Sequence, residues 1–449
     1  MWKFKSSIPI EAIPYDLPKN WNWYYWEDLI LTYEQGLIRS ISQLGSGNVF
    51  YLKMGDLDNN GGCTLSNLAK TQASDDEIRA YSLNKGDFLI NVRNSMELVG
   101  KTCVVGNTDG HLTLFNHMLV RIRHHEEVPG SFINAFFNIP SSRKLLDRCK
   151  QGTTTVIALY KRDLLKIPIP LPDKNTLNKI AAFYEVIDAK IDLNHRINAE
   201  LEGLAKLLYD YWFVQFEFPL TAAQAAALGN PKLTGHPYQS SGGPMVHDPQ
   251  LKRKIPKGWK VGPIADLCHL NQRTWGTANA PASVTYVDLA NVKNGKILDF
   301  QEYEWATAPS RARRILTHGD TIIGTVRPGN RSFAMVPRSA EILTGSTGFA
   351  VLTPRAEIYR EFNYLALTSD VNIDRLTVVA SGAAYPAVNP EVVAAHIIAK
   401  PDEDSISQFH SAVRSAFDLI ESHQLQTQEL TALRDWLLPL LMNGQVRVG

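Results

Sequence analysis

Cysteine is scarce in this chain, and long apolar runs are absent from it. Four cysteines occur among 449 residues, and no two of them form a C-x-x-C pair. This spacing excludes a zinc finger, and it predicts no disulfide framework. No run of 18 apolar residues occurs, and the first twenty residues carry no apolar stretch of signal-peptide length. We therefore expect a protein of the reducing cytoplasm rather than a secreted or membrane-spanning one.

Catalytic motifs are equally hard to find. Gly100-Lys101-Thr102 looks like the end of a phosphate-binding loop, but Ser95 stands where that loop needs a glycine. The spacing of His111, Asn116 and His117 fits no set of metal ligands. Neither a G-x-S-x-G elbow nor an [ND]PP[YF] run for amino-methyl transfer is present. The sequence predicts a chain with no catalytic residue, no metal site and no cofactor of its own.

The charge is distributed unevenly along the chain, although the net charge is only +1. Residues 1–172 carry 19 Lys and Arg against 17 Asp and Glu, and residues 251–400 carry 18 against 12. Residues 173–250 carry 6 against 9, and residues 401–449 carry 3 against 7. Two basic segments therefore alternate with two acidic ones, and basic segments suit contact with phosphates.

The chain also repeats itself. Short anchors recur in the same order at offsets that drift slowly from 238 to 230, as a duplicated domain with small insertions predicts. The anchors are Leu17-Pro-Lys-Asn-Trp21 with Ile255-Pro-Lys-Gly-Trp259, Glu27-Asp-Leu29 with Ala265-Asp-Leu267, Lys85-Gly-Asp87 with His318-Gly-Asp320, and Gly152 with Gly382.

Each repeat is predicted to be a mixed α+β domain followed by one long helix. Short β-rich runs such as FLINV and TIIGTV lie between Gly, Asn and Asp turns, and the helices follow the acidic starts PDKN and PDEDS. The predicted fold is thus two α+β domains in tandem, each followed by one long helix, with the two helices paired as an antiparallel coiled coil. The predicted boundaries are 1–172 and 251–400 for the domains, 173–217 and 401–449 for the helices, and 218–250 for a Gly/Pro-rich linker laid over a surface rather than packed.

Heptad spacing predicts the helix pairing. Apolar residues recur every seven positions over five heptads in both segments, which indicates a seam between two helices, and polar residues in the middle set its register at some cost in stability. The alternative is two ordinary amphipathic helices, each packed on its own domain. The predicted seam comprises Ile180, Ile187, Asn194, Asn198, Leu201 and Leu208 in the first helix and Phe409, Ala416, His423, Thr427, Leu430 and Leu437 in the second.

These features resemble the DNA-specificity subunit of type I restriction-modification systems. The resemblance is carried by LLKIPIPLPDKNTLNKIAAFYEVIDAKIDLNHRINAELEGLAKLLYDYWFVQFEFP, by GHPYQSSGGPMVHDPQLKRKIPKGW and by ELTALRDWLLPLLMNGQV. It covers essentially the whole chain, in the order recognition domain, helix, recognition domain, helix.

The resemblance implies a non-catalytic subunit that reads a bipartite target in double-stranded DNA. Each target-recognition domain would read one half-site, and the paired helices would set the spacing and bind two methyltransferase subunits. Restriction and translocase subunits would complete the complex. S-adenosylmethionine would belong to the methyltransferase, which must flip its adenine out of the duplex, and ATP with Mg²⁺ would belong to the restriction subunit.

Candidate DNA-binding residues are those able to read base edges from loops. In the first repeat they are Lys53, Asn59, Asn60, Arg93, Asn94, Gln151, Thr153 and Thr154. In the second repeat they are Asn291, Lys293, Asn294, Arg327, Asn330, Arg331, Ser381 and Tyr385. The loop Arg327–Arg331 is the strongest candidate, because two guanidinium groups on a Gly/Pro turn have few structural uses.

Two other functions stay open at this point. The chain could be a degenerate methyltransferase or nuclease, which binding of S-adenosylmethionine by the isolated chain would favour. It could instead be a coiled-coil scaffold that reads no DNA. Failure of the chain to bind any duplex at any salt concentration would favour this alternative.

Overall fold

The computed structural model describes residues 17–58, 61–63, 65, 68–108, 110–152, 156–338, 342–382 and 386–448. The chain divides into two units, one formed by Met1–Asn194 with Gln426–Gly449 and the other by His195–Leu425. Each unit therefore contains part of both long helices.

The first unit is a mixed α+β domain. Its strands are β1 (Asn22–Tyr25), β2 (Ile30–Gln35), β3 (Leu44–Leu52), β4 (Ala69–Thr71), β5 (Phe88–Asn91), β6 (Arg93–Asn94), β7 (Thr102–Val104), β8 (Thr113–Phe115), β9 (Leu119–His124), β10 (Lys150–Gly152), β11 (Ile157–Leu159) and β12 (Pro168–Leu171). Its helices are α1 (Asp75–Tyr81), α2 (Gly130–Phe137), α3 (Pro140–Arg148), α4 (Lys161–Leu164) and the first part of α5 (Lys174–Tyr209). The sheets have the orders β2-β9-β5-β7, β4-β3-β8, β10-β11-β6 and β1-β12.

The second unit repeats this plan. Its helices are the rest of α5, α6 (Ala222–Ala227), α7 (Arg360–Thr368), α8 (Asp370–Val379), α9 (Pro390–Ala394) and the first part of α10 (Glu403–Met442). Its strands are β13 (Met245–Asp248), β14 (Arg253–Pro256), β15 (Lys260–Pro263), β16 (Cys268–Leu270), β17 (Ser283–Val287), β18 (Val292–Lys293), β19 (Lys296–Ile297), β20 (Gln301–Glu304), β21 (Ala312–Leu316), β22 (Thr321–Gly324), β23 (Phe333–Met335), β24 (Leu343–Ser346), β25 (Phe349–Pro354) and β26 (Ile397–Lys400).

The strand orders of the two units confirm the tandem repeat. The sheet β16-β25-β22-β23 matches β2-β9-β5-β7, and β15-β26 matches β1-β12. Each unit also holds one parallel pair, β3 with β8 and β17 with β24. The runs FLINV and TIIGTV, which anchor the repeat, form β5 and β22, and both strands are buried along their whole length.

The Gly-Asp anchor makes the same turn in both units. Gly86 and Gly319 have φ angles of 91° and 83°, a left-handed conformation that suits glycine. The following Asp87 accepts a hydrogen bond from the backbone N–H of Asn84 at 2.9 Å, and Asp320 accepts one from that of Thr317 at 2.8 Å. Both carboxylates are buried, so this turn is a structural feature of the fold.

Both long helices begin at a capping aspartate. Asp173 accepts from the backbone N–H of Thr176 at 3.0 Å, and Asp402 accepts from that of Ser405 at 2.7 Å. Such caps satisfy N–H groups that the first turn leaves without partners. Helix α5 has 36 residues and α10 has 40, so the prediction of two long helices is confirmed. A short π-helical turn, Asp210–Val214, follows α5.

The segment 218–250 packs, contrary to the expectation of a surface linker. Phe218, Leu220, Ala225 and Tyr238 are all buried in the core of the second unit. The ring of Phe218 stacks on Tyr238 at 4.6 Å between centroids. The Gly/Pro-rich composition predicts an exposed linker, but these few well-spaced apolar residues suffice to bury the segment. The domain boundaries themselves stay a prediction.

Candidate nucleic-acid interface

Three short segments of the first unit meet in one small sheet, and three of the candidate residues lie on it. Ala158 of β11 pairs with Gln151 of β10 on one side and with Arg93 of β6 on the other. Arg93 and Gln151 are exposed, and Asn94 is half-buried. We call this sheet, β10-β11-β6, the first rim.

The second unit has the same arrangement. Ala387 pairs with Ser381 and with Val326, the residue before Arg327. The N–H of Arg327 donates to the carbonyl of Pro386 at 2.7 Å. We call the segments 326–331, 381–382 and 386–387 the second rim. Ala158 and Ala387 occupy corresponding positions of the repeat, so duplication has placed a polar rim at the same point of both domains.

The loop Arg327–Arg331 is held in an uncommon backbone conformation. Arg327 and Arg331 have φ angles of 48° and 59°, the left-handed region that non-glycine residues rarely adopt. Asn294, with φ 45°, donates its N–H to the carbonyl of Arg331 at 2.9 Å. Such conformations cost free energy and cluster at functional sites. The predicted residues Asn294, Arg327 and Arg331 are therefore brought together.

The two arginines of this loop differ in their surroundings. Arg331 forms an ion pair with Asp370, and its guanidinium carbon lies 5.7 Å from the centroid of the Phe333 ring. Arg327 is exposed at the start of the loop. Arg327 is thus the more exposed of the two guanidinium groups, and Arg331 is half-buried.

The remaining candidates differ in exposure and in contacts. Lys53 is exposed ahead of a short 3₁₀ turn, and its backbone N–H donates to Asp56 at 2.7 Å. Lys293 and Asn330 are exposed, and Asn291 is half-buried. The side chain of Gln151 donates to Asp163 at 2.8 Å. Asn59, Asn60, Thr153, Thr154 and Tyr385 lie outside the described residues.

The two helices run antiparallel in each unit. In the first unit, Asn194 contacts Thr427, and the charge of Arg434 acts on Asp188. In the second unit, Asn198 contacts His423, and the ring of Tyr209 packs against that of Phe409. Ile180, Ile187, Asn194, Asn198 and Phe409 are buried, whereas Leu201, Leu208, Ala416, His423, Thr427, Leu430 and Leu437 are half-buried.

The polar middle of the seam is satisfied by hydrogen bonds. In the first unit, Asn194 donates through Nδ2 to Gln426 Oε1 at 2.9 Å. In the second unit, Asn198 donates to the carbonyl of Ile420 at 3.3 Å, and its Oδ1 lies 2.9 Å from His423 Nδ1. Satisfied polar groups of this kind favour one register over others.

Sequence reasoning missed an apolar pair on the outer face of each helix. Leu204 and Leu207 in the second unit are 60% and 64% exposed, and Leu433 and Trp436 in the first unit are 42% and 66% exposed. The two pairs are separated by 229 residues, the same offset as the capping aspartates. That offset was the signal that could have identified them.

The described part of the chain offers no group of three or more metal-ligating side chains. No helix within it is long and apolar enough to cross a membrane. Two similar α+β domains, each with a polar rim and each containing parts of both long helices, are the arrangement expected of a tandem binding protein.

Comparison with known proteins shows which proteins this chain is similar to. Residues 18–203 match the type I restriction modification DNA specificity domain. The chain is 23% identical over 305 residues to the type I restriction enzyme MjaIX specificity subunit of Methanocaldococcus jannaschii, across 66% of this chain and 65% of that protein. It is 22% identical over 450 residues to the HindI specificity subunit of Haemophilus influenzae, across 89% of this chain and 94% of that protein.

A solved structure shares the fold. The S subunit of a type I restriction-modification system from M. genitalium superimposes with a TM-score of 0.53 at 15% identity, covering 95% of this chain and 98% of that one. The chain is therefore similar along most of its length to specificity subunits of type I restriction-modification systems, and its residues 18–203 match their DNA specificity domain. Specificity subunits of these systems are non-catalytic, in agreement with the missing catalytic motifs.

Proposed function

We propose that this chain reads a bipartite target in double-stranded DNA, one half-site with each rim, and brings partner subunits to it. The duplicated rim carries the proposal: Arg93 and Gln151 border one alanine, and Ser381 and Val326–Arg327 border its counterpart. Methyl transfer with S-adenosylmethionine, and cleavage with ATP and Mg²⁺, would be done by those partners. A cytoplasmic location is part of the same proposal.

The chemistry of the rims suits reading bases. Arginine can bind the O6 and N7 atoms of guanine with two hydrogen bonds, and asparagine or glutamine can bind adenine in the same way. Arg93, Gln151 and Arg327 are exposed on short, hydrogen-bonded segments. Side chains on such fixed backbone lose less entropy on binding than those on free loops do. Because the two rims differ in side chains, the two half-sites should differ in sequence.

The test replaces Arg327 by alanine. If Arg327 makes a bidentate base contact, binding should weaken by about 1–3 kcal/mol, and specificity should relax at one position of one half-site. The assay is methylome sequencing of cells that hold this chain and its methyltransferase, followed by affinity measurements on duplexes with single base changes. Arg331→Ala is the matched variant on the same loop, and we expect it to have a smaller effect because Arg331 is less exposed than Arg327. Unchanged affinity and specificity in Arg327→Ala would show that Arg327 does not contact the bases.

The outer apolar pairs are the proposed docking surfaces for the methyltransferase. Exposed leucine and tryptophan on a soluble helix are costly unless a partner covers them. The pairs Leu204/Leu207 and Leu433/Trp436 occupy corresponding positions of the two helices, so a partner that binds one surface should bind the other. Two methyltransferase copies per chain follow from this repetition, and restriction subunits would join that complex.

Charge substitutions test the docking proposal. Leu204→Asp with Leu207→Asp should reduce the complex from two methyltransferase copies to one by native mass spectrometry, and Leu433→Asp with Trp436→Asp should do the same. Val378→Asp is the control, because Val378 is 84% exposed on helix α8 and is equally apolar. A complex that keeps two copies in both double variants would contradict the proposed surfaces. A second copy of this chain bound in place of the methyltransferase would contradict them as well.

A further inference from the structure

Three arginines lie within four residues at the start of strand β21, and none of them is among the sequence-predicted site residues. They are Arg311, Arg313 and Arg314; Arg311 is exposed, and the other two are half-buried. Among the described residues, none of the three makes an ion pair with a carboxylate. Glu302 and Glu304 lie on β20, which ends one residue before Trp305, and neither forms an ion pair with these arginines. The charge of Glu391 acts on Arg314, so Arg311 and Arg313 are the cations better suited to attract an external anion.

A β-bulge and an aromatic ring hold Arg313 in place. The register of β21 against β24 shifts between Ala312 and Arg314, so Arg313 is the extra residue of the bulge. Bulges redirect side chains and are enriched beside functional sites. The guanidinium carbon of Arg313 lies 4.5 Å from the centroid of the Trp305 ring. One of its N–H groups donates to the carbonyl of Ala312 at 2.8 Å. Stacking and this bond restrict the side chain, and the guanidinium has further N–H groups that can donate to a phosphate.

Backbone hydrogen bonds connect this cluster to the second rim. The carbonyl of Arg311 accepts from the N–H of Thr347 at 2.8 Å. The next residue, Gly348, accepts through its carbonyl from the N–H of Thr325 at 2.8 Å, two residues before Arg327. Neighbouring segments joined in this way are about 5 Å apart. Arg311 therefore lies within about two such spacings of the rim, on the same rigid framework.

We infer that Arg311 and Arg313 bind the sugar-phosphate backbone of the duplex beside the half-site read by the second rim. This inference rests on the proposed function, since it requires DNA at that rim. Phosphate contacts fix the orientation of a protein on DNA and carry no sequence information, whereas the neighbouring Arg327 would read bases. The excess of 18 Lys and Arg over 12 Asp and Glu in residues 251–400 fits this role.

The test measures how binding of the full chain to a duplex of mixed sequence depends on salt. Each phosphate contact contributes about 0.9 to the slope of log affinity against log salt concentration. Arg311→Ala and Arg313→Ala should each reduce the slope by about one and weaken binding about eight-fold near 0.1 M salt, equally on duplexes of different sequence. Arg313→Lys should largely keep the slope, because the charge remains.

Two further variants separate charge from folding. Trp305→Ala should weaken binding less than Arg313→Ala does, because the cation stays but loses its stacking partner. Arg414→Ala is the control: Arg414 is an exposed helix arginine whose Nε lies 3.5 Å from Asp418, and its loss should leave the slope unchanged. If Arg313→Ala fails to fold, the exposed Arg311→Ala decides the question alone.

The failures of the two proposals are distinguishable. If the unaltered chain binds no duplex at any salt concentration, the proposed function fails and this inference with it. If the unaltered chain binds DNA but Arg311→Ala and Arg313→Ala keep its slope and affinity, the inference is wrong and the proposed function stands. If affinity falls on only one sequence, these arginines read bases, and the assignment to phosphates is overturned.

Discussion

Asp188 should make the first unit less stable as the pH rises from about 4 to about 6. This residue lies on α5, where burial raises its pKa from 3.8 to about 6. Arg434 on α10 opposes the shift, and the charges of Asp58 and Asp192 add to it. The same surroundings raise the pKa of Tyr184, again mainly through burial. The folded chain thus holds a proton on Asp188 over a pH range in which the unfolded chain has released it.

The sign and size of the effect follow from linkage. Below about pH 4 both states are protonated, and Asp188 contributes nothing to stability. Between about pH 4 and 6 the unfolded state loses its proton first, so the free energy of unfolding falls, and above pH 6 the full penalty remains. A difference of about two pKa units corresponds to at most about 3 kcal/mol. Because the side chain is not fully buried, we expect about 1–2 kcal/mol.

Replacing Asp188 by asparagine, which has the shape of the protonated form, tests this reasoning. Urea unfolding of the full chain should show the variant to be about 1–2 kcal/mol more stable at pH 8, and the gain should vanish as the pH approaches 4. Asp192→Asn, an exposed residue one turn further along the helix, should leave the pH dependence between 4 and 6 in place. A variant that is no more stable than the unaltered chain at pH 8, or a gain that persists at low pH, would refute the argument.

Two further predictions concern the stability of the second unit and of the first unit. Glu361 is fully buried between Arg360 and His410. Because Arg360 also pairs with Glu357 and Asp418, Glu361→Gln should cost about 1–3 kcal/mol, the loss of charged hydrogen bonds; an unchanged melting temperature would contradict this. Removing residues 426–449 should destabilise only the first unit, because those residues belong to it. Limited proteolysis should then cut within the first unit while residues 195–425 stay protected. Equal cleavage of both units would contradict this prediction.

The parts of the fold that sequence could predict depend on neighbouring residues. The runs FLINV and TIIGTV are apolar throughout, as central strands must be, and both became buried strands. The aspartates before each long helix act through hydrogen bonds within three residues. Such signals survive duplication because each requires only a few adjacent positions.

The parts that sequence could not predict depend on residues far apart in the chain. Arg331 and Asp370 are 39 positions apart, so nothing in the loop RPGNR shows that its second arginine is already paired. Similarly, the cluster beginning at Arg311 looks like any basic strand until Thr347 and Gly348 connect it to the rim. The choice between these arginines as DNA contacts therefore required the folded structure.

For a related reason, the sequence could not show which segments of the chain make up each unit. Heptad rows are the same whichever way a helix is paired, so the pattern cannot tell which half of α5 meets which half of α10. In the structure, Asn194 pairs within the first unit and Asn198 within the second. The polar middle of the seam thus falls where each helix passes from one unit to the other, and the apolar halves on either side extend separate cores. Each unit therefore depends on a half-helix from the other repeat.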